Sequence, residues 1–271
     1  DPAQFPDDLQ FSGQTFSVTV VDDVPEAANV TEYAPDTADT VTLDEDDLGD
    51  GTDGSDALSA TGDLGLSGTL ASVDVDWGAD GPADGASGSL DLSYADLGNV
   101  ELTGPAGLTS QGDPVTYTWD AGTNTLQAEA GGRDVFTVEL DGNGSYTFTL
   151  QDSLDHDPAQ GENQSSLEFS LDGDFDLTGR LGGSDYDLDP AQFPDDLQFS
   201  GQTFSVTVVD DVPYAQDDLD TVEGGLGNTT TGNVIQGLDT DNSPDSSLVE
   251  DIQGADNDVT LTQVQFGDTT V

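Results

Sequence analysis

Carboxylates are the residues of this chain best suited to chemistry, and they occur in clusters. The 271 residues include 57 Asp and Glu but only two Lys or Arg, one His and no Cys. From Asp44 to Asp56 most residues are acidic, and glycines between them let the loop curl. A hard cation with six to eight oxygen ligands needs such convergent carboxylates. We therefore predict a calcium site in this loop, with a solvated acidic loop as the alternative.

A second acidic cluster follows an apolar strand pattern near the middle of the chain. Asp172, Asp174 and Asp176 have the i, i+2, i+4 spacing that opens an EF-hand loop. The rest of that motif is absent, because its sixth position is Leu177 rather than Gly and its twelfth is Gly183 rather than Glu. Calcium binding here would require a loop of another type.

One segment of 25 residues occurs twice without change, as Asp1–Pro25 and as Asp189–Pro213. Such fidelity is typical of a tandem array, in which one unit is copied along the chain. In each copy apolar residues alternate with polar ones, which predicts a strand, and an Asp-Asp pair and a proline then end it. We divide the chain accordingly into the last strand of a preceding repeat (1–25), one full repeat with a possible insertion (26–213) and the start of a next repeat (214–271).

The acidic residues at these boundaries predict a bridge between units. Asp210 and Asp211 close one unit, and Asp217, Asp218 and Asp220 open the next. A cation held from both sides would stiffen the linker, whereas an acidic hinge is the alternative. The predicted ligands over the whole chain are Asp22, Asp23, Asp44, Asp46, Asp47, Asp50, Asp53, Asp172, Asp174, Asp176, Asp210, Asp211, Asp217, Asp218, Asp220, Asp239 and Asp241.

The net charge of −55 limits the possible partners. Nucleic acid is excluded because phosphate binding needs basic side chains, and an anionic membrane surface is disfavoured for the same reason. No apolar run is long enough to insert into a membrane.

Intrinsic disorder is the simplest explanation of such charge, but the aromatic residues stand at alternating positions, which indicates folding. A folded chain then needs salt or bound divalent cations to offset its self-repulsion, and it has no disulfides to help.

The apolar pattern predicts an all-β fold. Strands alternating apolar and polar residues are clearest from 115 to 150, where Asp141–Gly144 separates two of them as a hairpin turn. The apolar face of that hairpin would pack on a second sheet, as in a β-sandwich. Residues 26–40 contain Pro and several Ala and predict a connector.

The single histidine, His156, lies in the segment LDHDPAQGEN beside two aspartates. No motif marks a Ser or Cys nucleophile, and one histidine cannot make a zinc site by itself. We therefore expect a loop histidine that is hydrogen-bonded to its neighbours, and we do not expect an enzyme.

Several motifs in their order resemble the tandem extender repeats of giant RTX-type adhesins, surface proteins of Gram-negative bacteria exported by type I secretion. The motifs are VTLDEDDLGDGTD, DWGADG, GRDVFTVELDGNGSYTFTLQDSLDH, GEN and FSVTVVDDVP, which cover most of 26–213. The motifs EGG, TGNVIQG and GAD after residue 213 resemble the start of another such repeat. Where those repeats often have a DADGD-type turn before the last strand, this chain has a longer segment.

The resemblance implies Ig-like or bacterial cadherin-like β-sandwich repeats that calcium makes rigid. It also implies that neighbouring repeats are the partners, that the protein is extracellular on the cell surface, and that it serves adhesion and biofilm formation by holding other domains away from the cell.

Two other functions remain open at this point. A calcium-dependent binding module would need exposed aromatics beside carboxylates, for which Asp76–Trp77 and Tyr186 with Asp185 and Asp187 are candidates. A filament subunit would donate the strand in 1–25 to a neighbouring chain, because an isolated strand leaves both edges unpaired.

Overall fold

Strands make up most of the structure, a computed structural model. It describes residues 13, 15–20, 26–49, 58–76, 89–156, 163–177 and 196–219, and beyond them 227, 229, 231–233, 235–239, 248–251, 254–255, 265–266 and 269–270. The strands are β1 (Glu26–Glu32), β2 (Val41–Asp44), β3 (Ser59–Asp63), β4 (Thr69–Asp76), β5 (Ser89–Ser93), β6 (Leu97–Thr103), β7 (Thr109–Ser110), β8 (Asp113–Pro114), β9 (Thr116–Asp120), β10 (Thr125–Ala130), β11 (Arg133–Leu140), β12 (Ser145–Leu150), β13 (Gln164–Asp176), β14 (Asp196–Val209), β15 (Gly232–Asn233), β16 (Leu238–Asp239), β17 (Gln265–Phe266) and β18 (Thr269–Thr270). Short 3₁₀ helices span Glu45–Asp47 and Tyr94–Asp96. The expected all-β class is confirmed.

The strands form three larger sheets. The five-stranded sheet has the order β3-β12-β11-β10-β9, the four-stranded sheet β2-β14-β13-β6, and the three-stranded sheet β1-β4-β5. Neighbours in these sheets are antiparallel, except that β2 runs parallel to β14. The remaining pairs, β7-β8, β15-β16 and β17-β18, are two-stranded.

The hairpin predicted from residues 115–150 is confirmed as β11 and β12. Their registered pairs run from Phe136 opposite Leu150 to Leu140 opposite Tyr146, and these four side chains are buried. Asp141 holds the turn, because its Oδ1 accepts hydrogen bonds from the amides of Asn143 and Ser145. The alternation therefore puts one apolar face of the hairpin toward the core.

The five-stranded and four-stranded sheets pack face to face through aromatic side chains. The rings of Phe136 and Phe169 meet edge to face at 6.0 Å, and those of Tyr146 and Phe204 lie 4.2 Å apart. Phe169 also stacks on Phe204 at 5.0 Å within the four-stranded sheet. Leu92 of the three-stranded sheet joins the same buried cluster. The sandwich therefore has one continuous apolar core, whose stabilisation comes mainly from this burial.

The structure corrects the expected connector at residues 26–40. Glu26–Glu32 forms β1, which pairs with β4 from Glu26 opposite Asp76 to Glu32 opposite Ala71. Its sequence has few apolar residues, so alternation gave little signal. The edge of β4 supplies the hydrogen-bonding partners that make it a strand.

The two identical copies of the repeated segment differ in structure. Residues Thr203–Val208 of the second copy lie within β14, as the alternation predicts. The equivalent residues 15–20 of the first copy belong to no strand and are exposed. The strand prediction is thus wrong for that part of the first copy, because a strand forms only where a sheet edge receives it.

Candidate metal centre

Two acidic runs meet at one edge of the four-stranded sheet. β2 and β14 are parallel, with Val209 opposite Asp44, and each strand continues directly into acidic residues. Parallel neighbours end at the same edge of a sheet. The edge therefore gathers carboxylates from both strands, and we define the acidic edge as Asp44–Asp47 with Asp210 and Asp211.

A compact trio lies within this region. Glu45, His156 and Asp210 each offer one ligand atom, and these three atoms lie within 4.8 Å of one another. The side chains of Glu45 and His156 are 0% and 1% exposed, and Asp210 is buried as well. Taking two carboxylates out of water is unfavourable unless positive charge or hydrogen bonds compensate for the lost hydration.

The local structure explains how Glu45 reaches the interior. It opens the first 3₁₀ helix, where the Asp44 side chain caps the turn by accepting a hydrogen bond from the Asp46 amide at 3.3 Å. Oε1 of Glu45 accepts a hydrogen bond of 2.8 Å from the amide of Leu154. That bond ties the helix to the segment that carries His156.

His156 contacts polar groups through both ring nitrogens. Its Nε2 lies 3.2 Å from Oε1 of Glu45, and its Nδ1 lies 3.1 Å from Oγ of Ser165 and 3.3 Å from Oδ1 of Asn163. The amide of Asp210 donates a 2.9 Å hydrogen bond to the carbonyl of Asn163. These bonds connect the imidazole to the strand end that carries Asp210.

The electrostatics of the trio favour a positive charge on the imidazole. Burial disfavours the charged ring, but the hydrogen bond and charge of Glu45, the charge of Asp210 and the hydrogen bond of Asn163 outweigh it. The pKa of His156 is therefore raised above the ordinary 6.5. Either a proton on His156 or a metal ion among the three residues would offset charge on the buried carboxylates.

The donor set decides which cation the trio fits. One imidazole nitrogen and two carboxylates suit a metal that accepts mixed ligands, such as zinc. Calcium takes six to eight oxygens, and the trio supplies only two carboxylates, so the trio alone does not fit calcium. Calcium ligation needs the oxygens of the wider acidic edge.

Several predicted ligands do lie at the acidic edge. The parallel pairing of β2 and β14 places the end of one strand, with Asp44, Asp46 and Asp47, beside the end of the other, with Asp210 and Asp211. Their role as cation ligands stays a prediction.

The two other members of the trio, Glu45 and His156, were not among the predicted ligands. The signal for Glu45 is present in the sequence, since Val41, Leu43 and Glu45 stand at every second position, and Leu43 and Glu45 are both buried. His156 has the hydrogen-bonded environment expected of it, but part of that environment comes from residues distant in sequence.

The Asp172–Asp176 cluster is not in a loop. Asp172 and Asp174 lie within β13, which pairs with β14 on one side and β6 on the other, and Asp176 ends that strand. Asp172 is exposed, and Asp174 accepts a 2.9 Å hydrogen bond from the side chain of Asn99. The expectation of a loop here is wrong, because β13 continues through the acidic residues with a bulge near Gly173.

The acids after β14 contact the segment that follows. Oδ2 of Asp211 accepts a hydrogen bond of 3.0 Å from the amide of Ala255, and Oδ1 of Asp218 accepts one of 2.7 Å from Val249. Asp217 is exposed, and Asp239 ends β16. The predicted ligands outside the described residues are Asp22, Asp23, Asp50, Asp53, Asp220 and Asp241.

An aromatic side chain beside a carboxylate occurs at a different place from those expected. Tyr94 and Asp141 line a surface depression of about 390 Å³ together with Asn99 and Asn124. Burial and the charge of Asp141 raise the pKa of Tyr94. The residues expected for such a site, Trp77 and Asp185–Asp187, lie outside the described residues, and Asp76 ends β4.

Among the described residues, none of the helices has the length and apolar character needed to cross a membrane. Comparisons of the chain with models of protein families, with curated proteins and with solved structures each found no match.

Proposed function

We propose that residues 26–213 form a spacer unit in a tandem array of Ig-like or cadherin-like β-sandwiches, and that a divalent cation at the acidic edge stiffens the junction to the following segment. One observation carries the proposal. Asp210 and Asp211 are consecutive, yet the first contributes to the trio at the end of the sandwich and the second accepts a hydrogen bond from Ala255 beyond the junction. A cation at this point acts on both sides of the linker.

Charge supports the same function. The chain carries a net charge of −55, so the carboxylates gathered at the acidic edge repel one another as well as the rest of the molecule. Each bound divalent cation offsets two of these charges and fixes several side chains in one geometry. The junction then becomes stiffer without a disulfide.

The resemblance to RTX-type adhesin repeats supplies the biological setting. In this proposal the chain is part of a large extracellular protein of the bacterial cell surface, secreted by a type I system and acting in adhesion and biofilm formation. Its repeats contact one another end to end and carry no catalytic function. Calcium is the cation that this setting favours.

Thermal unfolding followed by circular dichroism tests the proposal. The full chain is compared in chelator, calcium, magnesium and zinc at constant ionic strength, because a cation that binds only the folded state raises the melting temperature. A rise with calcium that Asp210→Asn reduces and the exposed control Asp91→Asn retains would support the calcium-stiffened spacer. A rise with zinc alone would assign the trio to zinc and contradict the calcium proposal, and equal melting in every cation and in chelator would refute a cation site.

A second candidate function rests on the depression beside Tyr94 and Asp141. Its aromatic ring, carboxylate and amide side chains are the kinds of group that bind sugars by stacking and hydrogen bonds. A glycan array probed with the wild-type chain and with Tyr94→Leu tests this binding module. Binding that the variant loses would support it, and no glycan bound by the wild type would contradict it.

A further inference from the structure

The same sequence occupies two different environments in this molecule. Phe16, Val18 and Val20 of the first copy are 90%, 73% and 85% exposed. Their counterparts in the second copy are Phe204, Val206 and Val208, which are 3%, 0% and 0% exposed. Because the two 25-residue segments are identical, the sequence itself cannot cause this difference. Among the described residues only the second copy has strand partners, and these partners account for the difference.

The second copy shows what those partners are. β14 lies between β13, to which it is antiparallel, and β2, to which it is parallel. Phe204 stands opposite Phe169 in register and stacks on its ring at 5.0 Å, while Tyr146 covers it from the facing sheet at 4.2 Å. This sequence therefore fits a slot between two strands, in which Phe169 and Tyr146 pack against its phenylalanine.

The first copy shares one backbone feature with the docked copy. Gly13 has φ +104° and its counterpart Gly201 has φ +91°, a left-handed conformation that glycine adopts readily. Beyond it, residues 15–20 present apolar side chains at every second position, all exposed. An exposed apolar segment with strand alternation is a template for pairing with a sheet edge.

Within the described part of the chain there are two copies of this strand and one slot for it, and β14 fills that slot. Exchange of one copy for the other would bury the same side chains, so among the described residues one copy stays outside the slot whichever copy is docked.

We infer that residues 15–20 are the closing strand of a second copy of this sandwich. They lie there between its equivalents of β2 and β13, with Phe16 opposite the equivalent of Phe169. This inference does not depend on a cation at the acidic edge.

The test uses the full chain as acceptor with both copies disabled. The variant Phe16→Ser/Val18→Ser/Phe204→Ser/Val206→Ser weakens both copies, because each loses two of the apolar side chains that pack in the slot. The probe is a fluorescent synthetic peptide with the sequence of residues 1–25, and the control peptide has Ser in place of Phe16 and Val18. All measurements are made in chelator, so that their outcome is separate from that of the cation experiment.

The native peptide is expected to bind the acceptor variant at least about tenfold more tightly than the control peptide, because it restores two buried apolar side chains. It should also restore a cooperative melting transition, and it should not bind the wild-type chain, whose slot is filled. Where the variant fails to fold alone, it is refolded from denaturant with each peptide. Equal binding of the two peptides, or equal failure to refold with both, overturns the inference.

A second variant removes the need for a peptide. Phe204→Ser/Val206→Ser keeps the first copy intact and removes two apolar side chains from β14. The first copy of one chain should then dock in the slot of another chain. Sedimentation is expected to show concentration-dependent association of this variant that the fourfold variant lacks. Identical sedimentation of the two variants overturns the inference.

Discussion

Nε2 of His156 lies 3.2 Å from Oε1 of Glu45, with both side chains shielded from solvent. The chain has only one histidine and two arginines beside 57 acidic residues. One of these three basic side chains is therefore buried next to a buried carboxylate. The contact links the end of β2 to the loop before β13, and it makes the stability of the sandwich depend on the charge of a single ring.

Replacing His156 by Gln should change how stability depends on pH. The pKa of His156 in the folded chain is above 6.5 because Glu45 and Asp210 outweigh the effect of burial, so protonation favours the folded state. That stabilisation is fully present below pH 6.5 and is lost as the pH rises through the folded-state pKa. Urea unfolding in chelator across this pH window should show that the free energy of unfolding of the wild type declines, whereas that of the variant does not.

The control for this experiment is Asp91→Asn, which removes one charge from an exposed position on β5. It should keep the pH dependence of the wild type. If His156→Gln and the wild type lose stability in parallel across the pH window, the imidazole is not the cation that stabilises the Glu45 and Asp210 carboxylates.

Replacing Tyr146 by Phe should reduce the loss of stability in alkali. The hydroxyl of Tyr146 donates a 2.8 Å hydrogen bond to the carbonyl of Asp39, and burial together with the charge of Asp39 raises its pKa to about 12. The unfolded chain loses this proton near pH 10, so the wild type loses stability from pH 10 to about 12. The variant escapes this part of the decline.

At neutral pH the same variant should be less stable by about 0.5–1.5 kcal/mol, the net contribution of one hydrogen bond. The half-exposed Tyr33 provides the matched control. Tyr33→Phe should change neither the free energy of unfolding at neutral pH nor the alkaline unfolding profile. An alkaline unfolding profile that is the same for Tyr146→Phe and the wild type would contradict the prediction.

Replacing Arg133 by Gln should destabilise the start of β11. The guanidinium pairs with Asp152 and donates a 3.0 Å hydrogen bond from Nη2 to the carbonyl of Ser110. Its loss leaves a mostly buried carboxylate without its cation, at a cost of about 1–3 kcal/mol in unfolding free energy. Arg133→Lys should recover only part of the lost unfolding free energy, because an ammonium keeps the charge but lacks the planar arrangement of donors of a guanidinium. Urea midpoints that are equal for all three chains would exclude this role.

Replacing Gly254 by Ala should separate the following segment from the sandwich. A methyl group at this position would overlap the backbone carbonyl of Asp211, so the segment must shift and the hydrogen bond from Ala255 to Asp211 is lost. Limited proteolysis should then cut residues 214–255 faster than in the wild type, with little change in the melting of the sandwich. Gly142→Ala is the control, because nothing lies near its added methyl group. Equal cleavage rates in both variants would show that the junction is not packed this way.

Local alternation was enough to predict the strands that carry most of the core. Phe136 and Phe148 stand in a pattern that admits one buried face, and the turn at Asp141 sets their pairing. β1 was missed because EAANVTE has almost no apolar pattern of its own and becomes a strand through the edge of β4. Residues 15–20 of the first copy show the converse, since their pattern is that of a strand but no sheet edge in the described part of the chain receives them.

The acidic edge was predicted in part for a similar reason. The acids after β2 and after β14 are visible in the sequence, but their meeting depends on a parallel pairing between strands far apart in the chain. Glu45 lies among half-buried aspartates, although its phase with Leu43 indicates the buried face. His156 joins through hydrogen bonds to two separate segments, at Glu45 and at Asn163 with Ser165, which spacing alone does not show.

The parallel pairing of β2 with β14 has a mechanical consequence. The chain enters β2 at Val41 and leaves β14 at Val209, so once β1 has separated from β4, tension on the two ends pulls these neighbouring strands in opposite directions along their length. The backbone hydrogen bonds between them are then loaded together in shear and must rupture at once, whereas bonds at the open end of a hairpin break one after another. A unit built this way resists extension until a threshold force and then gives way abruptly, with the acidic edge located where the tension leaves the sheet.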